Sequence, residues 1–253
     1  MHGLPLFSVP TGRVHLIRPG RGGSHLRLGR QVHAAELPDS DIVELDGMLV
    51  TSCARTLFDL GRTLSFESAV VAIDFALHHE LVSPGQLIAH IGRVGSGPGI
   101  GATRRALRFA DGRSESVGES RTRVFFRTFS LPIPVPQLEI FDEVGTLLGR
   151  ADLGITEYGT LIEFDGLAKY DELLAPGQTA RDALVKEKVR EDGFRECGWI
   201  VVRLTHRDLA DARAQRGTAD RMLRAMRLGR MVAQRGQLAG SSRARRYLGL
   251  PPA

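Results

Sequence analysis

Asp152, Glu163 and Asp165 are the residues whose types and spacing best suit chemistry. Leu147 to Ile155 reads as a strand. Leu147, Ala151, Leu153 and Ile155 share one parity, and Arg150 and Asp152 take the other. Leu161 to Asp165 reads as the next strand. There Glu163 and Asp165 share a face with Leu161, because side chains repeat every two residues, while Ile162 and Phe164 face the other way. A hairpin turning at Tyr158-Gly159 brings Asp152 beside Glu163 in the right register, and three carboxylates converge at one end of a small sheet. Such a cluster repels itself unless a divalent cation fills it. Mg²⁺ takes sites of one or two carboxylates, retained waters and substrate phosphates. Lys169, beyond the loop Gly166-Leu167-Ala168, adds a positive charge beside the metal water or the scissile phosphate. These groups suit phosphodiester hydrolysis. Mg²⁺ or Mn²⁺ polarises the phosphate and lowers the pKa of a bound water, and the lysine stabilises charge developing in the transition state. Each residue also has a plainer reading: Asp152 as a solvated strand residue or a partner of Arg150, Asp165-Gly166 as a strand-ending turn, Lys169 as a surface lysine.

The elements around these residues follow from local signals. Ser116-Val117-Gly118-Glu119 has the capping-box pattern and opens a helix to about Phe129. Glu119 is therefore either the capping glutamate or a fourth acid contributed to the site. Pro132, Pro134 and Pro136 enforce an extended segment. Leu138 to Phe141 is a strand and Asp142-Glu143-Val144-Gly145 a turn. Thr179 to Cys197 reads as a charged amphipathic helix. Trp199 to Leu204 is apolar on both faces, which predicts a central strand with Trp199 in the core. A last helix runs from about Thr218 to Arg235, with Leu223, Met226 and Met231 free to pack inward. The order α-β-β-β-α-β-α predicts one mixed sheet flanked by helices.

The first half has a different texture. Arg13 to Arg18 alternates polar and apolar residues as a half-buried strand does. Pro19 to Gly23 is a turn or loop. Gln31 to Ala35 and Ile42 to Leu45 are further short strands. Ala54, Leu57, Phe58 and Gly61 follow helical spacing, and Ser65-Phe66-Glu67-Ser68 opens a second helix. Ser83-Pro84-Gly85-Gln86 caps a third, which runs through Ile91. Gly95 to Gly101 is the best internal linker. It is not a phosphate-binding loop, since no Gly-Lys-Ser/Thr follows it. His78-His79 and His206 have no metal-ligand spacing.

Composition narrows the functional classes. The 253 residues are 42% hydrophobic and 25% charged, an ordinary globular balance. No apolar run reaches membrane-helix length, and the N-terminus lacks a signal-peptide pattern, so the reading is a cytoplasmic protein with no membrane partner. Two cysteines, Cys53 and Cys197, exclude a disulfide scaffold and a cysteine zinc site. The net charge of +5 points weakly to polyanions. Arg213, Arg216, Arg221, Arg224, Arg227, Arg230 and Arg235 run with only Asp220 among them, and Arg243, Arg245 and Arg246 follow. This run reads as a DNA-backbone contact or as a solvated arginine-rich helix. Lys186 and Arg190, one turn apart, carry the same two readings.

Asp on a hairpin followed by Glu163-Phe164-Asp165-Gly166 and Lys169 resembles the PD-(D/E)XK nuclease superfamily, and within it the very-short-patch-repair (Vsr)-like endonucleases. The resembling stretch is residues 114 to 210 and includes Glu119, the run Lys188-Val189-Arg190-Glu191-Asp192, and Gly198-Trp199 with its hydrophobic strand. The resemblance implies a restriction-endonuclease-like α+β fold. It also implies a Mg²⁺ site at Asp152 and Glu163, with the Phe164 carbonyl and Glu119 as further contributors, and DNA cleavage in repair or phage defence. Asp165 stands where the superfamily usually has lysine. Asp46 to Leu60 is similar to actinobacterial AbiEi-type antitoxins of type IV toxin–antitoxin systems, over residues 1 to 110. That likeness implies a non-catalytic DNA-binding regulator with a cognate toxin as partner. The winged helix that precedes such segments is expected to be missing. The expected organisation is an antitoxin-like domain at 1–110, a nuclease-like domain at 111–235 and a basic tail at 236–253.

Overall fold

The computed structural model describes residues 1–20, 22–23, 25–27, 29–94, 97–166 and 180–234. Lys169 and the tail at 236–253 lie outside the described residues. The chain divides between Val117 and Gly118 into two units, where the sequence reading sets its boundary at 110 to 111. The fold is mixed α+β. No helix among the described residues is long and apolar enough to cross a membrane.

The first unit begins with strands β1 (Val14–Pro19), β2 (His25–Arg27), β3 (Arg30–Ala35), β4 (Ile42–Leu45) and β5 (Met48–Thr51). β3 pairs in parallel with β1 and antiparallel with β2. β1 exists as expected, but it is not half-buried, because Val14 and Leu16 stay exposed. β4 and β5 form a hairpin with a two-residue loop, Asp46-Gly47. Both loop residues have positive φ, which matches the right-handed twist of the paired strands.

Four helices follow: α1 (Cys53–Thr63), α2 (Phe66–His78), α3 (Pro84–Val94) and α4 (Ile100–Phe109). Their starts obey local chemistry. The Ser65 hydroxyl accepts the Ser68 N–H. Ser83 and Gln86 exchange both bonds of a capping box. Of the glycine-rich run expected as a linker, the described part, residues 97–101, leads into α4. Gly99, at φ 79°, caps that helix against α1, where a Cβ would lie 2.8 Å from the Arg62 carbonyl oxygen. That glycine serves close helix packing. Asp41, only 3% exposed, is held at the start of the β4–β5 hairpin by Arg55 of α1 and by His90 and Arg93 of α3.

The second unit runs α5 (Val117–Thr128), β6 (Val135–Phe141), β7 (Leu147–Ile155), β8 (Thr160–Asp165), α6 (Ala180–Glu196), β9 (Ile200–Thr205) and α7 (Ala212–Gln234). The sheet order is β6-β7-β8-β9, antiparallel except for the β8–β9 pair. β9 thus stands at the end of the described sheet, not at its centre. It is apolar on both faces because helices cover both. Val202 and Leu204 pack with Met222 and Met226 of α7, and Val201 packs with Phe194 of α6 and Trp199.

α7 buries Met226 as expected but not Leu223 or Met231. Met222, Met226, Gly229 and Ala233 face inward, while Leu223 and Met231 are exposed. Gly229 sets that rotation. A Cβ there would lie 2.0 Å from the Tyr158 carbonyl oxygen in the turn Thr156–Tyr158, so only glycine lets the helix close on that turn. Positions one residue away lie about 100° around the helix and point elsewhere.

Two glycines of α7 should therefore respond in opposite directions. Gly229→Ala should destabilise the protein by about 1 to 3 kcal/mol through overpacking. At Gly217 a Cβ meets nothing within 4 Å, and Gly217→Ala should be neutral or stabilise by up to about 1 kcal/mol. Urea denaturation followed by circular dichroism checks both. Equal effects would show that Gly229 does not set the docking of α7.

Candidate active site

The polar end of the sheet is made where β7 and β8 part. Their backbone pairing spans Ile155–Thr160 to Leu153–Ile162. One residue beyond, Asp152 Oδ2 accepts the Phe164 N–H at 2.8 Å. A side-chain carboxylate thus takes the place of a ladder acceptor. Asp152 and Glu163 come close enough for the Asp152 charge to act on the Glu163 carboxyl. The single face expected for Ala151, Leu153 and Ile155 is not kept: Ala151 packs with Phe194 of α6, and Leu153 and Ile155 pack with the core under α7. Phe164 points into that same core under α7. It also lies against the start of α5, where Gly118 leaves room for its ring.

Glu163 is 7% exposed. Its two oxygens receive Arg190 of α6 as a fork, Nη1 to Oε1 at 3.3 Å and Nη2 to Oε2 at 3.1 Å. Arg190 is held in turn by Glu187, by the Arg150 carbonyl and by the Phe194 ring 5.1 Å from its guanidinium carbon. Its stem passes Gly149 of β7, where a Cβ would come within 2.9 Å of it. Burial pushes the Glu163 carboxyl up to about 7, the Asp152 charge pushes the same way, and Arg190 only partly pulls it back. Burial works against ionisation of Glu187 too, but there Arg190 and Arg203 win and hold the carboxyl below its ordinary value.

Asp165 stands apart from the pair. Arg203, opposite Glu163 in the β8–β9 register, reaches Asp165 at 3.6 Å and also bonds Glu187 and Glu191. Among the described residues no group of three or more His, Cys, Asp or Glu is placed to hold a metal ion. The three carboxylates expected to converge are thus a pair, Asp152 and Glu163, with Asp165 drawn off by an arginine that strand parity alone does not reveal.

The remaining expected residues fall in several places. Glu119 is buried at 2% on α5 and accepts a 2.8 Å hydrogen bond from Gln137 Nε2. Gln137 was missed by sequence reasoning. It lies on β6 between Pro136, paired with Leu153, and Leu138, paired with Ala151, and so opposite Asp152. Its φ of 54° is left-handed, a conformation usually flagged in sequence by glycine or asparagine. Arg190, expected on a solvated DNA-facing surface, is turned inward onto Glu163. Lys186 is exposed on α6, as are Arg224 and Arg227 on α7, while Arg221 is partly buried against Asp208.

The raised Glu163 pKa has a defined sign in stability. Between the ordinary carboxylate value of 4.5 and about 7 the folded state binds more proton than the unfolded state. Stability from this group is therefore greatest below the lower value and falls as pH rises through the window. The metal-free protein should lose about 1 to 3 kcal/mol from this group between pH 5 and 8, and Glu163→Gln should flatten that slope. Thermal melts across the range test it. A wild-type slope that persists in Glu163→Gln would assign the proton to another group.

No protein-family model matches the chain, and no solved structure matches it. The chain is similar to two uncharacterized proteins of Mycobacterium tuberculosis, one from strain CDC 1551 / Oshkosh and one from strain ATCC 25618 / H37Rv. Each is 27% identical over 194 residues, which is 76% of this chain and 66% of the relative. The matched stretch thus spans just under two thirds of those relatives.

Proposed function

We propose that the second unit is a divalent-cation-dependent deoxyribonuclease that hydrolyses phosphodiester bonds in DNA, with Asp152 and Glu163 as its metal-binding pair. The reading rests above all on one observation: two carboxylates meet at one end of the sheet, and one of them is buried with its pKa raised. Two hard oxygen donors of this kind are the set that Mg²⁺ or Mn²⁺ takes when waters and substrate phosphate supply the rest. Such a cation, when bound, polarises the phosphate and lowers the pKa of a coordinated water. Asp152 is oriented for this by the Phe164 N–H. Glu163 must lose its proton and release the Arg190 fork to offer its oxygens. Arg190, released from Glu163, would leave a guanidinium at this site that could stabilise developing negative charge. Lys169 lies outside the described residues and takes no part in this reading. A DNA substrate implies a cytoplasmic protein.

A second reading has its own support. Arg190 already occupies the Glu163 oxygens, and Arg203 draws off Asp165. That arrangement suits a non-catalytic DNA-binding regulator, an antitoxin with a cognate toxin, in which the nuclease-like unit is a platform.

A nicking assay on supercoiled plasmid separates the two. With Mg²⁺ or Mn²⁺ the wild-type protein should nick DNA. EDTA should abolish nicking, and the Asp152→Ala/Glu163→Ala double variant should lower it by at least 100-fold, the order expected for loss of a metal centre. Absence of cleavage on supercoiled, mismatched and single-stranded DNA, with a gel shift that survives EDTA, would leave the regulator.

A further inference from the structure

Beyond the acidic pair, the carboxyl end of β9 opens onto a groove of about 450 Å³ against α7, lined by Thr205, Arg207, Asp208, Gly217, Arg221 and Arg224 among others. Its charge is lopsided. Asp208 is the one carboxylate among these residues, and its oxygens are already engaged. Oδ2 accepts the Thr205 N–H and hydroxyl at 2.8 Å each, and Oδ1 accepts Arg221 Nη2 at 2.7 Å. The carboxylate thus caps the turn His206–Leu209 and aims Arg221, leaving little negative charge to repel an anion. Arg207 and Arg224 are exposed, and among the described residues neither has a hydrogen-bonding or ion-pair partner for its guanidinium. This contrasts with Arg190 and Arg203, which are saturated by carboxylates. Gly217 leaves part of the lining bare, since a Cβ there meets nothing within 4 Å.

We infer that this groove binds phosphate, and specifically the sugar–phosphate backbone of a nucleic acid. Guanidinium forks match phosphate oxygens two at a time, and backbone contacts of this type carry affinity without reading sequence. Position argues for a polymer over a free anion. Thr205 pairs with Asp165 across the β8–β9 ladder, so the groove begins at the end of the sheet that holds Glu163. Arg213 and Arg216 are exposed beside the lining and Arg227 beyond it on the same helix, and a chain of phosphates can meet more than one of them. The inference takes its nucleic-acid ligand from the proposed function and narrows the arginine run of the sequence to one groove, completed by Thr205, Arg207 and Asp208, which that run does not mark.

The test is fluorescence anisotropy of a short labelled DNA with the full chain, in EDTA so that cleavage plays no part. Gly217→Glu introduces a negative charge into open space, and Arg207→Gln/Arg224→Gln removes the two unpaired guanidiniums. Both should weaken binding by about 10-fold or more at low salt. The double variant should also reduce the slope of log affinity on log salt by about one for each lost phosphate contact. Melting temperatures near that of wild type establish that the variants are folded. Inorganic phosphate should compete only at concentrations far above that of the DNA phosphates. Competition at equal concentration would overturn the backbone assignment and mark a free-phosphate site. Unchanged affinity and salt slope in both variants would overturn the groove, as would a wild-type chain that does not bind DNA. Binding that responds to the variants in a protein that never nicks DNA supports the groove and overturns only the nuclease reading.

Discussion

A carboxylate as buried as Glu163, beside a second carboxylate, cannot remain ionised without a cation at hand. Arg190 meets part of that requirement from α6, with burial still holding the carboxyl up at about 7, and much of the second unit is arranged around that contact. Gly149 clears a path for its stem, Phe194 supports its guanidinium, and Glu187 fixes its other edge. Arg203 extends the same network from β9 to Glu191 and Asp165. α6 is thus tied to the sheet through charge at its middle and through Phe194 and Cys197 in the core nearer its end. A resident guanidinium is also the natural competitor of a metal ion, since both seek the same oxygens.

The arginines of this chain play two different parts. Those facing the sheet from α6 and β9 are consumed in internal pairs. Those along α7 are mostly turned outward, because Met222, Met226, Gly229 and Ala233 claim the inner face. The high arginine content therefore has no single meaning: the same side chain is structural on one helix and available to a polyanion on the next. Arg221 belongs to both groups, tied to Asp208 by one nitrogen and lining the groove.

The first unit solves a similar problem in a similar way. Asp41 is buried, and Arg55, Arg93 and His90 converge on it from two helices, linking the β4–β5 hairpin to α1 and α3. His90 is itself enclosed. Burial lowers its pKa despite the neighbouring Asp41, so it is held toward the neutral form. Buried ion pairs of this kind specify which elements meet more than they add net stability.

Local signals in the chain were enough for the helix starts at Ser65 and Ser83, the turn at Tyr158-Gly159, the α-β-β-β-α-β-α order and the strand that carries Glu163. All of these depend on neighbours a few residues apart, through capping bonds, turn conformations and the two-residue repeat of a strand. What required the tertiary structure is what depends on distant partners. Arg190 turns inward because Glu163, 27 residues away in the chain, needs a counter-charge. Asp165 leaves the acidic pair because the parallel strand β9 brings Arg203 to it. Gln137 takes a left-handed φ where it bonds Glu119 across 18 residues. α7 takes its rotation from a contact between Gly229 and the Tyr158 carbonyl. Periodicity names the face on which a side chain lies; only the packed neighbours decide what it meets there, because charge pairing and close contact act through space and leave no mark on local spacing.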